Sequence, residues 1–527
     1  MSEPPPPASP QVSPRALVWT SLALALLVHV ALARTLAATF PLDIDVSNLL
    51  AGAVHFNPAQ HAPQPPGYLP YVLVLRAAVA VLGRDVSTAQ LVASLWSAAG
   101  MPLLVLWTLR RFPQQLALAG ALPWLWALSP VLLYHAADGQ MHGAEAFAAM
   151  LLLWRLQAWR QRQTPRMALA VGIALALGGA LRPSFLVLGL PLTLWHLRQF
   201  WRQLALALGV LVAGTLAWLL PTALAAGGWQ RLADAQRLLS VSYSFAGRSL
   251  LSAHASPELV RRNLAMVLVV SATIWLPVLA FAALTRARTP DRTAVRALLL
   301  TAVLPTTLFY LLAFCAEPGY LAGLVPVALC VLALRNPDAQ GVLRGTLAAL
   351  VVQIVCLAGP TGGSLVVKVP TVRDLIRRDI RQQFHVDELH LPPAGGQQLL
   401  LLSDSVDDMV LRSLPIVRPD VSVLMQVPRM APGPRAWGLA RVDGWLPIPG
   451  PLLGQAAGPT TVQTDRHFDV LVLDPLASQA LTTQLMRQLR CPLGPEAMAS
   501  GVLQVPVQAC LPQAELHAGE HTLRFAP

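Results

Sequence analysis

Pro41–Arg84 reads PLDIDVSNLLAGAVHFNPAQHAPQPPGYLPYVLVLRAAVAVLGR, and its reading decides the fold. It follows a first apolar run, Ala16 to Ala38, and opens with two carboxylates, Asp43 and Asp45. It then passes Asn48, His55 and His61 and turns on Pro63-Gln64-Pro65-Pro66-Gly67. From Tyr68 it is apolar to Leu82, about 15 residues against the roughly 20 that a membrane span needs. Carboxylates beside a membrane span are costly to place near hydrocarbon, which makes a functional reading the default.

Working outward, the 527 residues are 55% hydrophobic and 12% charged, with mean hydropathy +0.55. Soluble domains hold about twice that charge, so the chain reads as a polytopic membrane protein. The net charge of +12 is uneven: residues 1–359 hold 24 basic and 11 acidic groups, residues 360–527 hold 14 and 15. The basic excess thus belongs to the membrane part and is a topology signal. Nearly all of it is Arg, Lys368 being the only lysine, which disfavours the Lys/Arg-rich runs of a nucleic-acid patch.

The positive-inside rule fixes the arrangement. If Tyr68–Leu82 crossed, Arg110-Arg111, the cluster 155–166 and the cluster 286–296 would all fall outside. If it lies along the outer interface, all fall inside. The second option gives about eleven crossings with the N-terminus inside: 16–38, 88–108, 114–134, 143–160, 167–181, 184–197, 203–224, 263–284, 297–314, 319–334 and 343–359. Asp43, Asp45, Asp85, Asp138, Glu145, Asp234, Glu258 and Glu317 then gather on the outer side, where chemistry is expected.

Three regions follow. Residues 1–14 are a Pro-rich tail, expected to be disordered and cytoplasmic. Residues 15–359 form the membrane body, whose first outer loop, 39–87, is where catalytic groups are expected. Residues 360–527 alternate short apolar runs with polar helices. Val372–Phe384 reads as a charged amphipathic helix, and Leu399–Leu402, Asp420–Val427, Val470–Leu473 and Gly501–Ala509 read as strands. This is a small α/β domain, placed outside by the odd number of crossings. No glycine-rich phosphate loop follows its strands. Cys491 and Cys510 could pair there; no Cys/His spacing suggests a zinc site.

An Asp past the first span, D-x-x-N (Asp45, Asn48), H-x-P-Q-P-P-G-Y (His61 to Tyr68) and an interfacial helix ending in L-G together resemble bacterial integral-membrane glycosyltransferases of the GT-C fold. These are relatives of the protein O-mannosyltransferases and the lipid A aminoarabinose transferases. Leu128-Ser129-Pro130, Leu181-Arg182-Pro183 and Glu317-Pro318-Gly319-Tyr320 extend the resemblance over two-thirds of the chain. It implies transfer of a sugar from a polyprenyl-phosphate donor to a glycan, lipid or protein acceptor at the outer face of the cytoplasmic membrane. By that resemblance Asp45 is the first choice for the base, Asp43 the second, and Asp138 the second loop carboxylate. Substrate contacts fall to Asn48, His61, Gln64, Tyr68, Glu317 and Tyr320, and the lipid phosphate to Arg182, with Arg76 and Arg248 as competitors. Relatives place the acidic pair adjacently and this chain spaces it D-x-D, which leaves a divalent cation open.

Plainer readings stand beside these. Asp43 and Asp45 suit the N-cap of a helix at about 44–53. His55 and His61 suit hydrogen-bonded loop residues, Arg182 an interfacial snorkeller, and Glu317 a solvated acid. At the level of function, the alternatives are a transporter or flippase of a lipid or glycan, and a scaffold acting through the outer domain.

Overall fold

The computed structural model describes residues 13–242, 245–253, 255–286, 290–315, 317–359, 370–403, 408–427, 436–447, 461–463, 467–474, 503–506, 515–518 and 521–524. The tail 1–12 and both Cys491 and Cys510 lie outside them.

Helix α1 (Pro14–Thr35) starts where Ser13 accepts the Ala16 amide at 3.2 Å, with Pro14 at the first helical position. Then come α2 (Ile44–Val54), α3 (Leu69–Leu82), α4 (Val86–Arg111), α5 (Leu116–Ala127), α6 (Pro130–Asp138), α7 (His142–Arg162), α8 (Pro165–Leu181), α9 (Phe185–Leu197) and α10 (Trp201–Ala225). Helices α11 (Trp229–Ser242) and α12 (Phe245–Arg248) lead into α13 (Pro257–Ala283). Next are α14 (Arg292–Leu298), a π-turn Leu299–Val303, α15 (Leu304–Leu312), α16 (Leu324–Ala333) and α17 (Ala339–Ala358). Among the described residues six helices are long and apolar enough to cross a membrane, or seven with α5 and α6 taken together. This is a multi-pass membrane protein. The other expected spans are present as shorter helices (α8, α9, α16) and as the more charged α7.

One expectation is corrected. The span at 114–134 is not a single rod, and 135–138 is not a loop. The chain bends by 48° at Leu128-Ser129-Pro130, and α6 carries on helically to Asp138. Proline lacks the amide that would continue the ladder, and it disfavours helical geometry in the residue before it. Asp138 therefore ends a buried helix.

The two ends of the bundle differ. At one end Arg111 pairs with Asp291, Gln115 Nε2 donates to Asn336 at 2.7 Å, and Arg335 donates to the Ala282 carbonyl at 3.1 Å. At the other end of α4, roughly 30 Å along the helix, Gln90 donates to the Ala38 carbonyl at 2.7 Å. The first loop and the C-terminal domain meet at this second end.

That domain begins with α18 (Val372–Glu388), whose N-cap Thr371 accepts the Asp374 amide at 3.1 Å. Strands β1 (Leu399–Ser403), β2 (Val421–Val427), β3 (Ala436–Arg441), β4 (Gly444–Pro447), β5 (Thr461–Gln463), β6 (Val470–Leu473), β7 (Leu503–Pro506), β8 (Glu515–Ala518) and β9 (His521–Arg524) form two sheets, with α19 (Asp408–Val417) between β1 and β2. The larger has order β4-β3-β2-β1-β6-β7, with β1 parallel to β2 and β6 and the outer pairs antiparallel. The smaller has order β5-β9-β8. The all-apolar run Leu399–Leu402 suits a central strand covered on both faces, and all four residues are buried.

The domain sits on the first loop. Ser47 and Ser413 hydroxyls are 2.8 Å apart, Arg84 donates to the Val442 carbonyl at 3.3 Å, and Asp379 accepts the Thr39 amide at 2.9 Å. One apolar cluster, Ala38, Leu42, Tyr134, Ala137 and Leu375, joins loop, bundle and α18.

Candidate active site

A cavity of about 930 Å³ opens where the first loop crosses the α8–α9 corner. This is at the upper end of the roughly 300–1,000 Å³ typical of ligand sites. Its polar end is lined by Tyr68, Arg182, Ser184, Tyr310 and Tyr320. Its apolar wall is Leu186, Thr215, Trp218, Leu219 and Phe309, from α9, α10 and α15. The outward faces of α10 and α15 are bare apolar surface, including Leu216, Leu220 and Leu308.

Arg182 is the centre of the polar end. Its Nε stands 3.4 Å from Glu145 Oε2, and both side chains are buried. Nε also donates to Ser184 Oγ at 3.1 Å, and Nη1 contacts His142 Nδ1. The Tyr320 ring lies across the guanidinium, with 4.1 Å from Cζ to the ring centre. Proline at 183 ends α8 and leaves Arg182 extended, so its side chain enters the cavity instead of following the helix surface. Tyr320 comes this close because residue 319 is glycine: a β-carbon there would lie 2.1 Å from the His142 ring.

The first loop enters from the other side. Asp43 caps α2, its Oδ1 accepting the Asp45 amide at 3.0 Å, so the capping reading of Asp43 is met in the geometry. Asp45 lies in the first turn of that helix, half-buried, within electrostatic reach of the Tyr68 and Tyr320 phenols. Burial, reinforced by the Asp45 charge, pushes the Tyr68 phenol up to about 12. Tyr68 has a left-handed backbone, φ 44°, a conformation uncommon outside glycine.

Glu317 is buried at the start of the turn carrying Tyr320, and its charge reaches Arg248, Cys315 and Arg378. Arg248 stacks on Phe314, 5.5 Å from its ring centre, and burial lowers its affinity for a proton. Asp138 faces Arg378 and Tyr134.

The structure therefore gathers Tyr68, Arg182 and Tyr320 on one cavity, with Arg248 and Glu317 alongside; Asp45 does not line it but lies within electrostatic reach of the two phenols. It sets others apart. Arg76 donates to the Ala53 carbonyl at 2.9 Å and the Gly52 carbonyl at 3.3 Å, closing the end of α2 away from the cavity. His61 is buried against the C-terminal domain, facing Arg412. Asn48 and Gln64 are buried in the loop and do not line the cavity. Tyr310 lines the cavity and His142 and Glu145 contact Arg182; the sequence reading named Glu145 only among the outer acids and did not single out the other two. A carboxylate in the apolar run of α7 was the available signal for Glu145. Among the described residues no group of three or more His, Cys, Asp or Glu is arranged to hold a metal ion.

No protein-family model matches the sequence, and no curated protein matches it. Solved structures do. The crystal structure of ArnT from Cupriavidus metallidurans bound to undecaprenyl phosphate superposes with TM-score 0.51 at 14% identity, covering 82% of this chain and 97% of that one. The same protein in the apo state gives TM-score 0.47 at 13% identity, over 76% and 84%. With a helical bundle, an interfacial loop and a small α/β domain in this order, the chain has the GT-C fold, the fold of that lipid A aminoarabinose transferase.

Proposed function

We propose that this protein transfers a sugar from a polyprenyl-phosphate donor to a hydroxyl or amine acceptor at the outer face of the membrane, with Asp45 as general base. One observation carries the reading: a buried guanidinium lines the polar end of a cavity whose remaining wall is apolar and lies between helices with bare outer faces, and the Asp45 charge reaches the two phenols, Tyr68 and Tyr320, beside that guanidinium. An isoprenoid phosphate needs such a pairing of cation and greasy slot, and the solved protein of the same fold binds undecaprenyl phosphate.

In the step itself a bond forms from the acceptor oxygen or nitrogen to the anomeric carbon. The bond from that carbon to the phosphate oxygen breaks, and the oxygen leaves with the electron pair. The acceptor proton passes to the Asp45 carboxylate. Charge grows on the departing phosphate, where Arg182 offers several donors in a fixed fork. Tyr320 stacked on that fork holds its plane, and Glu145 keeps it oriented while the site is empty. The C-terminal domain is seated on the loop that bears Asp45, which supports a role for it in presenting the acceptor.

The test is transfer in proteoliposomes from a radiolabelled polyprenyl-phosphate sugar. Asp45→Asn is expected to lower turnover by about 10²–10⁴-fold, the usual worth of a general base. Undiminished labelled product would remove Asp45 from the mechanism. Label crossing the bilayer without any covalent product would replace the transferase reading with a transporter.

A further inference from the structure

Helix α18 is two-faced. One face docks on the bundle: Leu375 and Gln382 are buried, Asp374 accepts from Tyr134 at 2.8 Å, and Asp379 accepts the Thr39 amide. The opposite face carries Ile376, Ile380 and Phe384, exposed by 52%, 62% and 59%. Their four-residue spacing sets them in one row along the helix. Arg373, Arg377 and Arg381 repeat at the same spacing and form a parallel exposed row, with both rows inside an arc of about 140°. Two carboxylates fall on this arc, the exposed Asp387 and the part-exposed Glu388, which pairs with His385, and both are in the last turn. A soluble helix would put polar groups here.

We propose that this face lies in the headgroup region of the bilayer in which the bundle sits, with the apolar row among acyl chains and the arginine row on anionic lipid phosphates. Continuity supports that occupant. The helix follows α17, whose Leu343, Leu347, Val351, Ile354 and Val355 form a bare apolar side. Leu357 at the end of α17 and Leu36 both pack against the cluster of Ala33, Leu133 and Ala136, and Leu36 also packs against the cluster that holds Leu375. The lipid-facing flank of the bundle therefore runs up to the helix. Charge complementarity supports it too, since basic residues at a membrane surface draw anionic headgroups. The proposal rests on membrane embedding and not on the sugar-transfer reading.

The experiment is photocrosslinking of the full chain with Ile380→p-benzoylphenylalanine in vesicles of equal phosphatidylglycerol and phosphatidylethanolamine, with products identified by mass. Phospholipid adducts are expected, with phosphatidylglycerol favoured about fivefold, as the roughly 1 kcal/mol contributed by a single arginine beside the crosslinking position implies. The preference should fall to parity when Arg373→Gln, Arg377→Gln and Arg381→Gln are combined. Crosslinks to a second copy of the chain, absence of lipid adducts, or equal labelling of the two lipids in the unsubstituted arginine background would each overturn the proposal.

Discussion

The Arg182 guanidinium carbon lies over the Tyr320 ring, 4.1 Å from its centre, at the polar end of the cavity. The two residues sit 138 positions apart and come from separate helix junctions, so neither orients the other until the bundle has closed. Glu145 takes the guanidinium's other side at 3.4 Å. If this cation receives the donor phosphate, Arg182→Gln should lower kcat/KM for the lipid donor by about 10²–10³-fold, and Arg182→Lys should recover only part of it. Removing one partner of a buried pair also strands the other. Glu145→Gln combined with Arg182→Gln should therefore restore thermal stability and leave the transfer defect. Kinetics and a melting curve on the same preparations check both halves, and full activity in Arg182→Gln would discard the role.

A second prediction concerns Arg378, which reaches inward from α18. It donates to the Tyr134 hydroxyl at 2.7 Å and to the Leu42 carbonyl, next to Asp43. Nearby Tyr134, Asp138, Glu317 and Asp43 outweigh its burial and hold it charged. The residue ties the start of the first loop to α6. A double-mutant cycle of Arg378→Ala with Tyr134→Phe, read in kcat/KM, should give a coupling of about 0.5–3 kcal/mol. Strict additivity would show that the two side chains act separately.

Much of this was legible in the sequence, and the rest was hidden for definite reasons. Hydropathy and the arginine pattern outlined the bundle, because span length and charge are properties of single segments. The loop from Asp43 to Tyr68 stood out because polar groups and prolines are rare beside a span. The bend at Ser129-Pro130 was marked by its proline, yet its size depends on what α6 packs against. Arg76, His61 and Glu145 were decided by distant partners: carbonyls one helix away, Arg412 some 350 residues downstream, and a corner arginine. Spacing along the chain carries no record of such meetings. Helix α18 was read as amphipathic, but which face was buried needed Tyr134 and Thr39 in place.

Packing gives a third prediction. Helices α4 and α7 touch at Gly143, where an added β-carbon would lie 2.7 Å from the Ser97 β-carbon and 2.9 Å from its backbone. Overpacking of this kind typically costs about 1–3 kcal/mol, and here it would also push on Glu145, half a turn further along. Gly143→Ala should lower the melting temperature in detergent. Gly209→Ala, in α10 with open space around it, should leave stability unchanged or raise it by up to about 1 kcal/mol. If the two alanines behaved alike, close helix contact at Gly143 would be wrong.

The last prediction follows from His61, buried between the loop and the C-terminal domain. Desolvation, with the Arg412 charge second, lowers its pKa from 6.5 to about 3. Arg412 in turn stacks on Trp445, 4.1 Å from its ring centre, so the cation is fixed at this interface. The sign is set by which state binds the proton. Below pH 6.5 a released His61 takes one up and the docked one does not, so docking weakens steadily from about pH 6.5 towards pH 3. Above pH 6.5 both forms are neutral and the contribution is constant. The slope from this one group is at most about 1.4 kcal/mol per pH unit. His61→Gln should flatten the loss of thermal stability between pH 6.5 and 4.5 and leave the value at pH 7.5 nearly unchanged. Limited proteolysis of the C-terminal domain across the same range gives an independent reading. Equal slopes for the two proteins would mean that His61 is hydrated, contrary to its place in the interface.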